Sequence, residues 1–194
     1  MNIVIDHFKG LARFSGREGR KSFWIWAALN LGLSMVMAAA VMVPMVIDMF
    51  TRIERFADEH PELVTRTYGP GSYSVQVKGH HPELMPDFSA VMTGFGLSVS
   101  LTVALLAAAV VRRLHDTGRT GAWGLLPLPF LAAGLVLMPG LFKSFEGAGE
   151  PDLGMFFLLF VNNLVYLASL GVLIALLAGK GTAGDNRFGP PPPA

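Results

Sequence analysis

The sequence predicts an all-α integral membrane protein with four transmembrane helices and a small extramembrane loop containing a β-hairpin. The first observation is composition: 52% of the 194 residues are hydrophobic and only 15% are charged, against about 25% charged in a typical soluble domain. The second observation is four windows without any Asp, Glu, Lys, Arg or His, each long enough for the roughly 20 residues that a membrane-crossing helix needs. Unpaired backbone groups are costly in lipid, so these windows are expected to be helical. They are residues 23–47, 88–111, 122–142 and 155–179.

The distribution of basic residues predicts the orientation. Ten of the 15 Lys and Arg residues lie in segments 1–22, 112–121 and 180–194, whereas the intervening segments 48–87 and 143–154 are mainly acidic. Short loops rich in Lys and Arg stay on the cytoplasmic side of a membrane. Both termini and segment 112–121 are therefore expected in the cytoplasm, and the other two loops in the periplasm, for a protein of the bacterial inner (plasma) membrane.

The segment before the first span reads as an amphipathic helix. Val4, Ile5, Phe8 and Leu11 recur at helical spacing among charged residues, a pattern typical of a helix lying on the inner leaflet. The first span, 23–47, then continues as a helix into the loop 48–87. Within that loop, two alternating runs flank Gly69-Pro70-Gly71 and predict the β-hairpin.

The histidines of the loop 48–87 raise the question of a metal. His60, His80 and His81 lie near several carboxylates, which is a ligand set for a divalent cation. Their spacing fits no zinc motif, and the two His-Pro-Glu-Leu repeats suit turns and helix starts. We therefore expect no metal site and no cofactor.

The second and fourth spans, 88–111 and 155–179, are uninterrupted, but the third is not. Pro127 and Pro129 lie near the start of 122–142 and predict a kinked helix or, alternatively, a re-entrant hairpin. Asn30, Asn162 and Asn163 are amides at membrane depth, which suit hydrogen bonds between helices or a polar path for a solute. The tail 180–194 is rich in Gly and Pro and is expected to fold back under the helices.

Segment 112–121 concentrates the candidate functional residues. Arginines beside the end of a span favour an anionic ligand, a phospholipid headgroup above all. Asp116 is expected to pair with Arg113, Arg119 or Arg187, and Gly118 suits a left-handed turn. A catalytic role for His115 with Asp116 is the third hypothesis, since adjacent residues do not orient each other. The predicted ligand-binding set is Arg112, Arg113, His115, Asp116, Arg119 and Arg187.

Three motifs carry a resemblance to a known family. They are FSGREGRKSFW at 14–24, RRLHDTGRTGAW at 112–123 and GTAGDNRFGP at 181–190. In this order they resemble the bacterial inner-membrane family catalogued as domain of unknown function 805. The resemblance implies a location but no activity. The other residues that match the family's motifs are Gly16, Arg17, Arg20, Phe23, Trp24, Leu114, Gly118, Gly181, Gly184, Asn186 and Gly189.

From these observations we expect a non-enzymatic membrane module whose cytoplasmic side binds an anionic headgroup or a protein partner, including a second copy of the chain. A small transporter or transport subunit is the alternative. The net charge of +1 and the lack of a basic patch with aromatics argue against a nucleic-acid partner. The absence of cysteine excludes thiolate chemistry.

Overall fold

The computed structural model describes residues 2–146 and 152–192, without the side chains of 145 and 146. Its helices are α1 (Ile3–Lys9), α2 (Arg20–Glu59), α3 (Phe88–Asp116), α4 (Leu128–Glu146) and α5 (Leu153–Ala178). Within these residues, four helical segments, which contain α2 to α5, are long and apolar enough to span a membrane. The predicted all-α membrane fold is thus confirmed. Part of the predicted loop 143–154, residues 147–151, lies outside the described residues.

The long helix α2 extends beyond the membrane. Its 40 residues correspond to about 60 Å at 1.5 Å per residue, roughly twice the thickness of the hydrocarbon core. Part of the excess is the stretch from Thr51 to Glu59, which the sequence predicted as a helical extension. The β-hairpin is also confirmed: strands β1 (Val64–Gly69) and β2 (Ser72–Val77) pair in antiparallel register across Pro70 and Gly71.

The hairpin docks on the end of α2 through polar contacts. Arg66 pairs with Asp58 at 2.5 Å and lies 3.6 Å from Glu54. The hydroxyl of Tyr73 donates to the Glu54 carboxylate at 3.2 Å. Desolvation, and to a smaller extent this hydrogen bond, raises the pKa of Tyr73 to about 12. The described residues contain no cluster of three or more His, Asp or Glu side chains that would hold a metal.

A pH-dependent contact joins His81 and Glu83 beside the hairpin. His81 lies 3.0 Å from the Glu83 carboxylate. This hydrogen bond is the larger cause of the raised pKa of His81, and the hydrogen bond to the Lys78 carbonyl is the smaller one. The contact is therefore complete below the ordinary histidine pKa and is lost as the pH rises through the raised one. We expect Glu83→Gln to lower the pKa of His81 in an NMR titration of the imidazole. Glu62→Gln is the control, and an unchanged His81 pKa in Glu83→Gln would show that the pair does not form.

The helices pack in two pairs, α2 along α3 and α4 along α5. Aspartates cap two of them: the Asp87 carboxylate accepts from the amide of Ala90 at the start of α3, and Asp152 accepts from Met155 at the start of α5. The predicted span 122–142 is divided: residues Gly121–Leu125 form a short 3-10 helix, and α4 begins at Leu128 with Pro129 in its first turn. Many large apolar side chains of the four spans are exposed, as lipid-facing residues are.

The tightest packing lies at one end of the bundle. A buried cluster joins α2, α3 and α5 through Phe23, Trp26, Ala109, Leu114, Leu173 and Leu177. Below it lie segments 2–22, 112–121 and 180–192, which together we name the terminal face. Helix α3 runs through Asp116, so the first five residues of segment 112–121, predicted as a loop, are helical. Gly118 has φ +76°, the left-handed conformation expected of it.

Candidate functional site

The three sequence motifs meet in one hydrogen-bonded network at the terminal face. Segment 14–24 leads into α2, segment 112–123 ends α3, and segment 181–190 follows α5. Residues separated by 99 to 172 positions along the chain are hydrogen-bonded here. The network is built from charged side chains and backbone carbonyls, and most of its charged groups are shielded from solvent.

Arg113 is the centre of this network. It has no exposed surface. Its Nε donates to the carbonyl of Leu177 at 2.9 Å, Nη2 to Gly179 at 2.5 Å, and Nη1 to Glu18 at 3.4 Å. Nη1 also forms an ion pair with the Asp116 carboxylate. The last carbonyls of α5 lack partners within the helix, so Arg113 completes that helix end and complements its dipole.

Arg17 joins the first motif to the other two. Its Nη2 pairs with Asp116 Oδ1 at 2.9 Å, and Nε donates to the same oxygen at 3.0 Å. The guanidinium also donates to the carbonyls of Thr182 at 2.6 Å and Gly184 at 2.7 Å. The side chain is only 1% exposed. Arg17 therefore holds the tail against α3.

Glu18 organises a second ion-pair group beside the first. Its carboxylate accepts from Arg112 at 2.8 Å and pairs with Nε2 of His7 at 2.5 Å. Arg112 also donates to the carbonyls of Gly10 at 2.9 Å and Arg13 at 2.7 Å. These contacts fix α1 and the turn after it onto the end of α3.

The tail completes the network through backbone contacts. The backbone amide of Thr182 donates to the carbonyl of Asp116 at 2.8 Å, and the side-chain Nδ2 of Asn186 donates to the backbone carbonyl of His115 at 3.0 Å. The rings of His115 and Phe188 stack 3.8 Å apart and 3° from parallel. His115 Nδ1 lies 3.1 Å from the carbonyl of Gly16. The tail thus folds back under the helices, as the sequence predicted.

Local structure explains why glycine occupies several positions of the motifs. Gly181 lies against Asp116, and an added Cβ would stand 2.9 Å from its Cγ and 3.0 Å from its Oδ1. Four more glycines of the motifs have positive φ, a backbone conformation that other residues reach only with strain: Gly16, Gly118, Gly184 and Gly189.

The charges of the network are not balanced by carboxylates alone. Three arginines, Arg17, Arg112 and Arg113, face two carboxylates, Glu18 and Asp116. Backbone carbonyls accept the remaining donors, including two at the end of α5. A buried charge is tolerated only when its partners and hydrogen bonds are complete, and this network supplies both.

A cavity of about 690 Å³ with several charged residues in its lining opens between α1, the start of α2 and the tail. Arg17, Glu18 and Arg112 form part of its wall. Lys9, Arg13 and Lys21 also line it, and none of these three forms an ion pair within the described part of the chain. The cavity therefore combines anchored arginines with three exposed cations.

The predicted ligand-binding residues separate into two groups. Arg113 and Asp116 are buried and fully engaged, and Arg112 is anchored at the wall of the cavity. Arg119 and Arg187 are exposed; Arg187 stacks on Phe188, 4.7 Å from the ring centroid, and lies 3.4 Å from the Gly118 carbonyl. The expected partners of Asp116 were incomplete: it pairs with Arg113 as predicted and with Arg17, but not with Arg119 or Arg187.

Two residues of the network were missed by the sequence reasoning. Glu18 and His7 are buried polar residues at the junction of α1, α2 and α3. The signal for Glu18 was present, since it is the one acid among the basic residues of the motif GREGR. No comparable signal marks His7, whose place depends on how α1 folds back onto Trp26, with the rings stacked 4.7 Å apart.

The other polar candidates do not converge. In the described residues, Asn30 donates to the Trp26 carbonyl and Asn162 to the Phe130 carbonyl, while Asn163 is exposed on α5. No hydrogen bond joins the side chains of His115 and Asp116 in that part of the chain.

Comparison with known proteins gives one family. The profile of the family described as "Protein of unknown function (DUF805)" matches residues 11–190. The uncharacterized protein YiiR of Escherichia coli strain K12 is 35% identical over 86 residues, which are 43% of this chain and 49% of YiiR. YiiR of Escherichia coli O157:H7 matches with the same values. The chain thus spans about half the length of these curated relatives. No solved structure matches it.

Proposed function

The chain belongs to the DUF805 family of proteins of unknown function, and from this premise we propose that it is a non-enzymatic membrane module that binds an anionic phospholipid headgroup at its terminal face. We place the protein in the bacterial inner membrane with this face in the cytoplasm. The excess of Lys and Arg in the segments that form the face supports that orientation.

The observation that carries the proposal is the cavity at the terminal face, which is lined by three cations without an ion-pair partner among the described residues. Lys9, Arg13 and Lys21 line one space of about 690 Å³, a volume within the usual range of ligand sites. Arg17 and Arg112 add positive charge to the wall. Two acids also line the cavity: Glu18, which pairs with Arg112, and the exposed Asp6. Five Lys and Arg side chains thus face two carboxylates. The net field inside the cavity therefore favours an anion.

The surroundings of the cavity favour a lipid as the source of that anion. Ile5 and Phe8 on α1 are 48% and 55% exposed, and Phe14 is 49% exposed. An amphipathic segment with such residues lies in the headgroup region of a bilayer. Lys21 lies two residues before the first apolar window, which supports a position of the cavity near the phosphate groups of the bilayer.

The expected effect of removing the three cations is large. Each basic residue near an anionic surface contributes about 1 kcal/mol, so Lys9/Arg13/Lys21→Gln should weaken binding of dioleoylphosphatidylglycerol about 100-fold. Native mass spectrometry of the detergent-solubilised protein, titrated with this lipid, measures the bound fraction. Dioleoylphosphatidylcholine serves as the zwitterionic comparison.

The matched control keeps the charge change on the same face but outside the cavity. Arg119/Arg187→Gln removes two exposed cations that do not line it, and we expect less than a threefold change. Equal losses in both variants would show a general surface attraction. Unchanged binding in the triple variant would reject the proposal and favour a protein partner.

A further inference from the structure

A second cavity lies within the membrane-spanning part of the protein. It has a volume of about 510 Å³ and is bounded by α2, α3, α4 and α5. The two helix pairs, α2 with α3 and α4 with α5, also touch through α3, and the cavity lies between them beside this contact. Its lining is mostly apolar and contains no charged residue.

The lining contains four residues with polar side chains, all of them hydroxyl-bearing: Ser34, Ser98, Thr102 and Tyr166. Three of them are engaged within the protein. The Ser98 hydroxyl donates to the backbone carbonyl of Gly94 at 2.8 Å, and the Thr102 hydroxyl donates to the backbone carbonyl of Ser98 at 2.9 Å. Ser34 donates to the carbonyl of Asn30 at 2.8 Å and lies 2.9 Å from Thr102 Oγ1.

Tyr166 is different. Its hydroxyl has no hydrogen-bond partner among the residues 2–146 and 152–192, although it lies on a spanning helix where water is scarce. A polar group left without a partner at this depth is costly. The cavity thus offers one free donor in an apolar, uncharged space of the size that ligands fill.

We infer that this cavity binds an uncharged membrane amphiphile, a long apolar chain that carries a carbonyl oxygen, with Tyr166 donating to that oxygen. The absence of charge in the lining disfavours a charged headgroup, because the cost of desolvating it would not be offset. A carbonyl oxygen is the expected ligand group because it accepts a hydrogen bond. The serine and threonine hydroxyls already donate within the protein, so Tyr166 is the donor that remains. The inference rests on other residues than the headgroup site and is independent of it.

Two kinds of bilayer molecule share this chemistry, an isoprenoid quinone and a diacylglycerol. The test therefore uses two probes, decylubiquinone and dioleoylglycerol, each titrated into the detergent-solubilised full chain and measured as a one-to-one adduct by native mass spectrometry. We expect one of the two to bind, and its identity names the source of the carbonyl.

Three variants connect the binding to the cavity. Ala107→Phe places a ring in the cavity and should weaken binding at least tenfold. Ala104→Phe adds the same ring on the exposed side of α3 and should leave binding unchanged. Tyr166→Phe removes only the donor and should weaken binding about 2- to 10-fold, as the loss of one neutral hydrogen bond does.

Three results would refute the inference or part of it. Binding of neither probe to the wild-type chain would refute the inference. So would an Ala107→Phe variant that binds as well as Ala104→Phe, since the ligand would then lie elsewhere. A Tyr166→Phe variant with unchanged binding would refute the assigned hydrogen bond.

Discussion

Replacing Asp116 by Asn should lower the free energy of unfolding by about 3–5 kcal/mol, the usual cost of removing one partner from a buried ion pair. The substitution keeps the shape of the side chain but leaves Arg113 and Arg17 buried without their shared carboxylate. The unfolding of the protein in mixed dodecyl maltoside and SDS micelles, followed by circular dichroism, measures this loss.

The control is an acid of the same type in an exposed pair. Asp48 pairs with Arg52 at 2.7 Å, with both side chains about half exposed, and such pairs contribute roughly 0–1 kcal/mol. Asp48→Asn should therefore change the stability by less than about 1 kcal/mol. A similarly small effect of Asp116→Asn would mean that the ion pairs of Asp116 with Arg17 and Arg113 do not form in the detergent-solubilised protein.

Gly181→Ala should detach the tail from α3. The new Cβ would overlap the carboxylate of Asp116, which cannot move away because Arg113 and Arg17 hold it. Overpacking of this kind costs about 1–3 kcal/mol, and here the loss of the tail's hydrogen bonds adds to it. We expect tryptic cleavage at Lys180 and Arg187 to become at least tenfold faster, with reduced stability toward SDS.

Two other glycines separate this effect from the general cost of an added methyl group. Gly184 has φ +69° and open space around it, so Gly184→Ala should cost only the backbone strain of about 1–2 kcal/mol. Gly171 lies in α5 with nothing near its Cβ position, and alanine there should be neutral or slightly stabilising. Equal tryptic rates for Gly181→Ala and Gly171→Ala would contradict the packing of the tail on Asp116.

The fold could be predicted from the sequence because lipid imposes simple rules. Charge-free windows of membrane length must be helices, and the turn at Pro70 and Gly71 between alternating runs marks the hairpin. The end of α3 was harder to place. Charged residues after an apolar window read as a loop, yet Arg112 to Asp116 remain helical because the tail and the first motif cover them.

The site could be predicted only in part, for a physical reason. The sequence singled out the arginines of segment 112–121 but not their partners, which lie up to about 100 positions away in α1, segment 14–24 and the tail. The sequence does not distinguish an arginine that binds a ligand from an arginine that donates hydrogen bonds to the last carbonyls of a helix. The geometry gives Arg113 the second role. Of the arginines in segment 112–121, only Arg112 lines the open cavity, and the other cations of its lining come from residues 9–21.

A double-mutant cycle between Arg17→Gln and Asp116→Asn tests most directly the claim that the three motifs form one internal network. The two residues are 99 positions apart and joined by a 2.9 Å ion pair. We predict that the two substitutions destabilise the protein non-additively, with a coupling energy of about 1–3 kcal/mol in the unfolding assay. Additive effects, to within about 0.5 kcal/mol, would contradict the network, because they would mean that Arg17 and Asp116 stabilise the protein independently.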